Sequence, residues 1–191
     1  MLTPEERRRK HRKERIIAAL IVIAVALVTA ALAAYSKWLD NQVRGDNTYV
    51  PGPTVVTPEV ELLRQYIRFD TTNPPGNELP AAQWLAAIIR AAGTGAEVIE
   101  TAPGRGNVYA RIEGTEEGGG LLLVHHIDVA PADAAHWSHP PFEAKIHLDH
   151  LFGRGALDMK GVGIAFLRAF LDVAESGRRP EHDLVFLAVA D

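Results

Sequence analysis

Leu121-Leu122-Leu123-Val124-His125-His126-Ile127-Asp128-Val129-Ala130-Pro131, LLLVHHIDVAP, runs from an apolar block into a cluster of polar side chains. Its first four residues are apolar on both faces of an extended chain, the pattern of a central strand buried on both sides. Polar side chains then arrive together. His126 and Asp128 lie two residues apart and therefore on one face, at the carboxyl end of the strand, where α/β sheets build their sites.

Outward from this strand, extended and helical patterns alternate. Thr57 is suited to an N-cap and Pro58 to a first helical position, and Val60, Leu63 and Ile67 then share a face. That helix stops at DTTNPPG, residues 70–76, where successive prolines forbid its continuation. A second helix is expected from Leu79 to Ala92, ended by Gly93, and strands over residues 96–100, 107–112 and 121–126. Residues 143–148 and 150–152 suit a hairpin, and residues 161–175 a helix with Val162, Phe166, Ala169, Phe170 and Val173 on one face. Residues 183–190, DLVFLAVA, form a further buried strand. Strands alternating with helices predict an α/β sheet. The sequence stops at Asp191 with no helix to cover that strand, which reads as a fragment of a longer domain.

The front of the chain differs. Residues 16–35, IIAALIVIAVALVTAALAAY, carry no charge, and at about 1.5 Å per residue they are long enough to cross a hydrocarbon core of roughly 30 Å. Arg7, Arg8, Arg9, Lys10, Arg12, Lys13 and Arg15 precede the run, against Lys37 and Arg44 after it. That asymmetry predicts a single-pass membrane protein with a cytoplasmic N-terminus and everything beyond Tyr35 on the extracytoplasmic side. A cleaved signal peptide is the competing reading, but the apolar run exceeds the roughly 7–15 residues of a signal core. The expected organisation is a basic segment over 1–15, a transmembrane helix over 16–35, a linker over 36–56 and an α/β domain over 57–191.

Charge and composition narrow the function. Of the 20 basic and 24 acidic residues, residues 1–15 hold seven and three, leaving 13 against 21 beyond them. The acidic remainder argues against nucleic acid or an anionic lipid surface as its partner. With no cysteine, disulfides and thiolate ligands are excluded, so any metal must be held by histidine and carboxylates.

GRGALDMKG, residues 153–161, holds a lone carboxylate among three glycines. A phosphate-binding loop would need its Lys after the last Gly and a hydroxyl after that, and a dinucleotide fingerprint would need another glycine spacing; neither matches. Two readings of Asp158 stay open from the loop alone: a cap for the helix that follows, or a carboxylate that bridges two metal ions. For His126 the spacing suits an imidazole ligand whose second ring nitrogen is oriented by Asp128, beside the plainer reading of a strand end bonded to loop backbone. His125 faces the other way and has no partner two residues on. His136, His139, His147, His150 and His182 fall in polar loops or the hairpin and read as solvated.

Five ordered blocks now stand together: YIRFDTTNPPGNE (66–78), GNVYARIEG (106–114), HIDVAP (126–131), WSHPPFEA (137–144) and GRGALDMKG. In these the chain, from about Thr57 to Asp191, resembles the aminoacylase/carboxypeptidase family of dinuclear zinc hydrolases, which includes aminoacylase, glutamate carboxypeptidase, carboxypeptidase S, acetylornithine deacetylase and succinyl-diaminopimelate desuccinylase. The resemblance implies an incomplete three-layer αβα catalytic domain. It implies His126 as a ligand of one zinc, Asp128 as the group that orients it in catalysis, and Asp158 as the bridging ligand. Two zinc ions, with cobalt or manganese as substitutes, and a peptide or N-acyl amino acid substrate follow from the same resemblance.

The chain also departs from the family pattern. His125 stands where Gly is common, Ala130 where Val is usual, and His150 where a turn Gly is frequent. Lys160 matches a common position to which no role is assigned. The resemblance implies a Glu-Glu pair straight after the last strand, the first as general base and the second as ligand, with later ligands and a smaller lid or dimerisation domain. Asp191 precedes where that pair would fall, so this chain alone is expected to be inactive and any homodimer to form through a part not given. The alternative is a membrane-tethered binding module of the same fold without catalysis.

Overall fold

The computed structural model describes residues 28–38, 52 and 54–191. The chain divides into two units, residues 1–50 and 51–191. In the first, residues 28–38 are helical, with Val28, Leu32 and Tyr35 exposed. The expected basic segment, and the expected transmembrane helix as far as residue 27, lie outside the described residues. Among those described, no helix is long and apolar enough to cross a membrane.

The second unit is α/β, as its alternating pattern requires. Helix α1 (Pro58–Arg68) starts where expected, the Thr57 hydroxyl accepting from the Val60 amide. Helix α2 (Leu79–Ala91) follows the proline turn and buries Ala81, Ala82, Leu85, Ala86 and Ile89. Strands β1 (Ala96–Ala102), β2 (Arg105–Ile112) and β3 (Gly120–His126) come next, then the short hairpin of β4 (Lys145–His147) and β5 (His150–Phe152). Helix α3 (Lys160–Glu175) and strand β6 (Asp183–Val189) complete the unit.

The main sheet has the order β1-β2-β6-β3, antiparallel through β2 and parallel between β6 and β3. Strand β6 is therefore central. It alternates cleanly, with Leu184, Phe186 and Ala188 buried and the residues between them half-buried. The expectation of a central β3 is corrected: among the described residues β3 bonds only to β6 and lies at the sheet edge. Leu121, Leu122 and Val124 are 59%, 51% and 43% exposed there. A run apolar on both faces reports what a strand can bury, and it does not fix how many neighbours the strand has.

Helices α2 and α3 pack against one face of the sheet, and α1 packs on α3. Register pairs Val108 with Ala188 and Ala110 with Phe186, and these four join Tyr66, Leu85, Ile89, Ile164, Leu167 and Phe170 in one core. Phe170 of α3 meets Phe186 at 5.8 Å between ring centroids. On the opposite face Tyr109, Val185 and Leu187 are only half-buried. Of the expected three αβα layers, the described residues thus supply two.

Candidate metal centre

The carboxyl end of β3 and the turn before α3 meet at the edge of this core. Beyond His126 the chain continues as loop, tied on two sides. The Ile127 amide donates to the Val189 carbonyl at 2.7 Å, and the Thr71 hydroxyl donates to the Ile127 carbonyl at 2.8 Å. Val129 exchanges backbone bonds with the 71–73 segment, donating to Thr71 and accepting from Asn73. The DTTNPPG block therefore has a local structural role, running beside the loop that carries Asp128 and keeping that loop in place. Asn73 also reaches across, its side-chain amide 2.8 Å from Asp191 Oδ2.

The GRGALDMKG turn is fixed equally closely. The Gly153 carbonyl accepts from Ala156 and the Gly155 carbonyl from Lys160. Gly155 has φ of 82°, and a Cβ there would lie 2.8 Å from Val129 Cγ1, so both backbone conformation and space demand glycine. Arg154 fastens three blocks together. Its amide donates to the Pro141 carbonyl, its guanidinium to the Pro131 carbonyl at 3.1 Å, and its charge lies 5.2 Å from the Trp137 ring centroid. The Asp158–Met159 peptide is cis.

Within this frame the residues expected to act together do meet. His126 Nε2 lies 3.1 Å from Asp158 Oδ1, and Nδ1 of the same ring lies 3.0 Å from both Oδ1 and the carbonyl oxygen of Asp128. The capping reading of Asp158 fails, because Met159 is the N-cap of α3 and makes no side-chain bond there. Its carboxylate, 87% exposed, turns to the histidine instead. Partial burial works against charge on His126, but the Asp128 carbonyl and the two carboxylates outweigh it and hold the pKa above the ordinary imidazole value.

An imidazole facing a carboxylate at 3.1 Å, with a second carboxylate on its far nitrogen, is a nitrogen–oxygen donor set matched to zinc, cobalt or manganese. A shared proton can hold Nε2 and Oδ1 face to face, and a cation bound by both would take its place. Two first donors are fewer than the three that a catalytic zinc usually takes from protein. Among the described residues no group of three or more His, Asp or Glu is placed to hold a metal ion.

Residues unassigned from sequence lie directly beneath. His125 is buried, its Nε2 3.1 Å from the Tyr66 hydroxyl. Burial first, then the nearby His126, pushes its pKa down to about 4, so the ring is neutral. Lys160 is also fully buried, donating to the carbonyls of Tyr66 at 3.2 Å and Phe69 at 2.8 Å. Burial lowers its pKa to about 8 against the pull of Asp70, Asp128 and Glu78. Of the histidines read as solvated, His136, His147 and His150 are exposed, whereas His139 is half-buried and packs edge-on against Phe152 at 4.8 Å.

Residues 122–191 match the model of peptidase family M20/M25/M40. Human aminoacylase-1 is 37% identical over 130 residues, which cover 67% of this chain and 32% of that protein. Aminoacylase-1 of Sus scrofa is 39% identical over 114 residues, 59% of this chain and 28% of the relative. The fold is similar to that of an M20 family metallo-carboxypeptidase from Sulfolobus solfataricus, with a TM-score of 0.62, 26% identity, and coverage of 70% of this chain and 31% of the other. It is also similar to that of human carnosine dipeptidase 1, at a TM-score of 0.57 and 20% identity over 69% of this chain and 31% of that one. The chain spans about a third of the length of these relatives.

Proposed function

We propose, for a chain that belongs to peptidase family M20/M25/M40, that it supplies one side of the metal centre of a hydrolase that cleaves an amide bond in a peptide or an N-acyl amino acid. The observation that carries the reading is the face-to-face contact of His126 Nε2 and Asp158 Oδ1 with Asp128 behind the ring. His126 and Asp158 would hold the metal, for which zinc is the best match to the donors. When bound, such an ion lowers the pKa of a water toward neutrality and polarises the scissile carbonyl.

The chain's own residues prepare that step. Asp128 accepts from Nδ1, which fixes the tautomer that leaves the Nε2 lone pair free and raises the basicity of the ring. Asp158 contributes a negative charge on a turn that Gly155 and Arg154 hold in place. The Asp128 loop keeps its position through Thr71 and Val189. Because only two donors converge among the described residues, the 191-residue chain by itself is expected to bind zinc weakly and to hydrolyse nothing. A membrane-tethered binding module without catalysis is the second reading.

Calorimetric titration with zinc tests the site: the chain should bind, and His126→Ala and Asp158→Ala should each abolish binding. Hydrolysis of a panel of N-acetyl amino acids and dipeptides by the protein purified from its source separates the two readings. Turnover lost with His126→Ala supports the enzyme, whereas metal binding without turnover supports the module. We also propose, from the basic and apolar runs of residues 1–35, that the protein is anchored in a membrane with residues 57–191 on the extracytoplasmic side. Retention in the membrane pellet after alkaline carbonate washing supports this, and release into the supernatant overturns it.

A further inference from the structure

The most unusual polar groups in the core are the three the proposed chemistry does not use. Tyr66, His125 and Lys160 are each at most 1% exposed, and they form one connected set. Tyr66, on the last turns of α1, shares a hydrogen bond with His125 Nε2 through its hydroxyl at 3.1 Å. The Lys160 ammonium lies 5.1 Å from the Tyr66 ring centroid and donates to the carbonyls of Tyr66 and Phe69, where α1 ends and its dipole is negative.

This arrangement opposes stability more than it supports it. Buried polar groups cost free energy unless fully paired, and His125 Nδ1 has no hydrogen-bond partner among the described residues. A leucine at 125 and a methionine at 160 would fill similar space without that cost. Room is nevertheless made for the imidazole. A Cβ on Gly163 would come within 2.5 Å of His125 Cδ2 and Nε2, so α3 backs the ring with bare main chain. Phe186 closes its other side at 5.4 Å between centroids, and Trp84 stacks on Tyr66 at 5.6 Å.

What the set connects is informative. His125 is covalently next to His126 on β3, and Lys160 follows Asp158 by two residues at the start of α3. We infer that Tyr66, gripping His125 through its hydroxyl and Lys160 through its carbonyl and ring, is a positioning residue that sets the separation of His126 and Asp158 and so preorganises the metal pair. The two proposed ligands come from different elements, and α1 bonds to a close neighbour of each. The inference rests on the metal reading of His126 and Asp158.

The test is a Co2+ titration of the 191-residue chain, followed by visible absorption, for wild type, Tyr66→Phe and a core control, Phe170→Leu. Tyr66→Phe removes only the hydroxyl and keeps the ring that faces Trp84 and Lys160. Partners one layer behind a ligand typically change metal affinity roughly 10–100-fold, and about tenfold is expected here, with an altered absorption band. Phe170→Leu, at an equal or larger loss of melting temperature, should keep wild-type affinity and spectrum. Equal affinity in Tyr66→Phe and wild type, or an equal loss in the control, overturns the positioning role. If Tyr66→Phe does not fold, His125→Gln is read by the same two criteria. A wild-type chain that takes up no Co2+, or whose uptake survives His126→Ala, overturns the metal reading itself and this inference with it.

Discussion

Acid should destabilise this protein through one buried ring. His125 titrates at about 4 in the folded chain, because burial excludes its charge, against 6.5 when unfolded. Above pH 6.5 both states hold the ring neutral. As pH falls below 6.5 the unfolded chain takes up a proton that the folded chain refuses, and stability is lost until the folded ring also titrates, near pH 4. A separation of about 2.5 units at roughly 1.36 kcal/mol per unit gives a total loss of about 3 kcal/mol, most of it present by about pH 4.5. His126 has the opposite sign. Its folded pKa is raised, so its contribution is full below 6.5 and fades above; it changes between the two assay pH values but is common to wild type and variant and cancels in their comparison. The assay is urea unfolding at about pH 7.5 and about pH 4.5, without metal, for wild type and His125→Gln, which keeps a polar side chain but cannot be charged. Carboxylate effects are common to both proteins and cancel. Wild type should lose about 2–3 kcal/mol more than the variant between the two pH values. Equal losses would refute the assignment of a neutral, desolvated imidazole beside Tyr66.

Three further outcomes follow from contacts around the site. Gly155→Ala should cost about 1–3 kcal/mol by thermal unfolding, since it strains a φ of 82° and drives a methyl toward Val129. Asp158→Asn should leave stability within about 0.5 kcal/mol, because the carboxylate is 87% exposed, while isothermal titration shows zinc affinity falling at least about tenfold. Thr71→Val should cost about 1–3 kcal/mol in urea unfolding, by leaving the buried Ile127 carbonyl without its donor.

Local rules carried much of this structure. The Thr57–Pro58 start of α1, the proline stop after it, and the alternation in β6 each follow from short-range chemistry, and each lies where residue type requires. The i, i+2 spacing of His126 and Asp128 likewise placed both groups on one face, and the five blocks brought Asp158 to it. What was not legible depends on distant partners. LLLV announces a strand able to bury both faces, yet its neighbours are set by sheet order, and here it has one. His125 faces away from Asp128 and so had no local signal, because its partner Tyr66 is 59 residues earlier. Lys160 gave none either: a lysine at a helix start reads as solvated until the end of another helix is found to supply the carbonyls that hold it. Asp158 could have been a cap on local evidence, and only the fold shows that its carboxylate turns to His126.

His126 and Asp158 are proposed to bind one cation together, the histidine through its Nε2. Long-range 15N NMR of the imidazoles, recorded as zinc is added, reads that bond at the atom concerned. The His126 Nε2 resonance should move on zinc addition, its Nδ1 should stay protonated toward Asp128, and Asp158→Ala should abolish the change. A zinc-dependent shift at His139, His147 or another histidine in place of His126, or a His126 shift that survives Asp158→Ala, would contradict it.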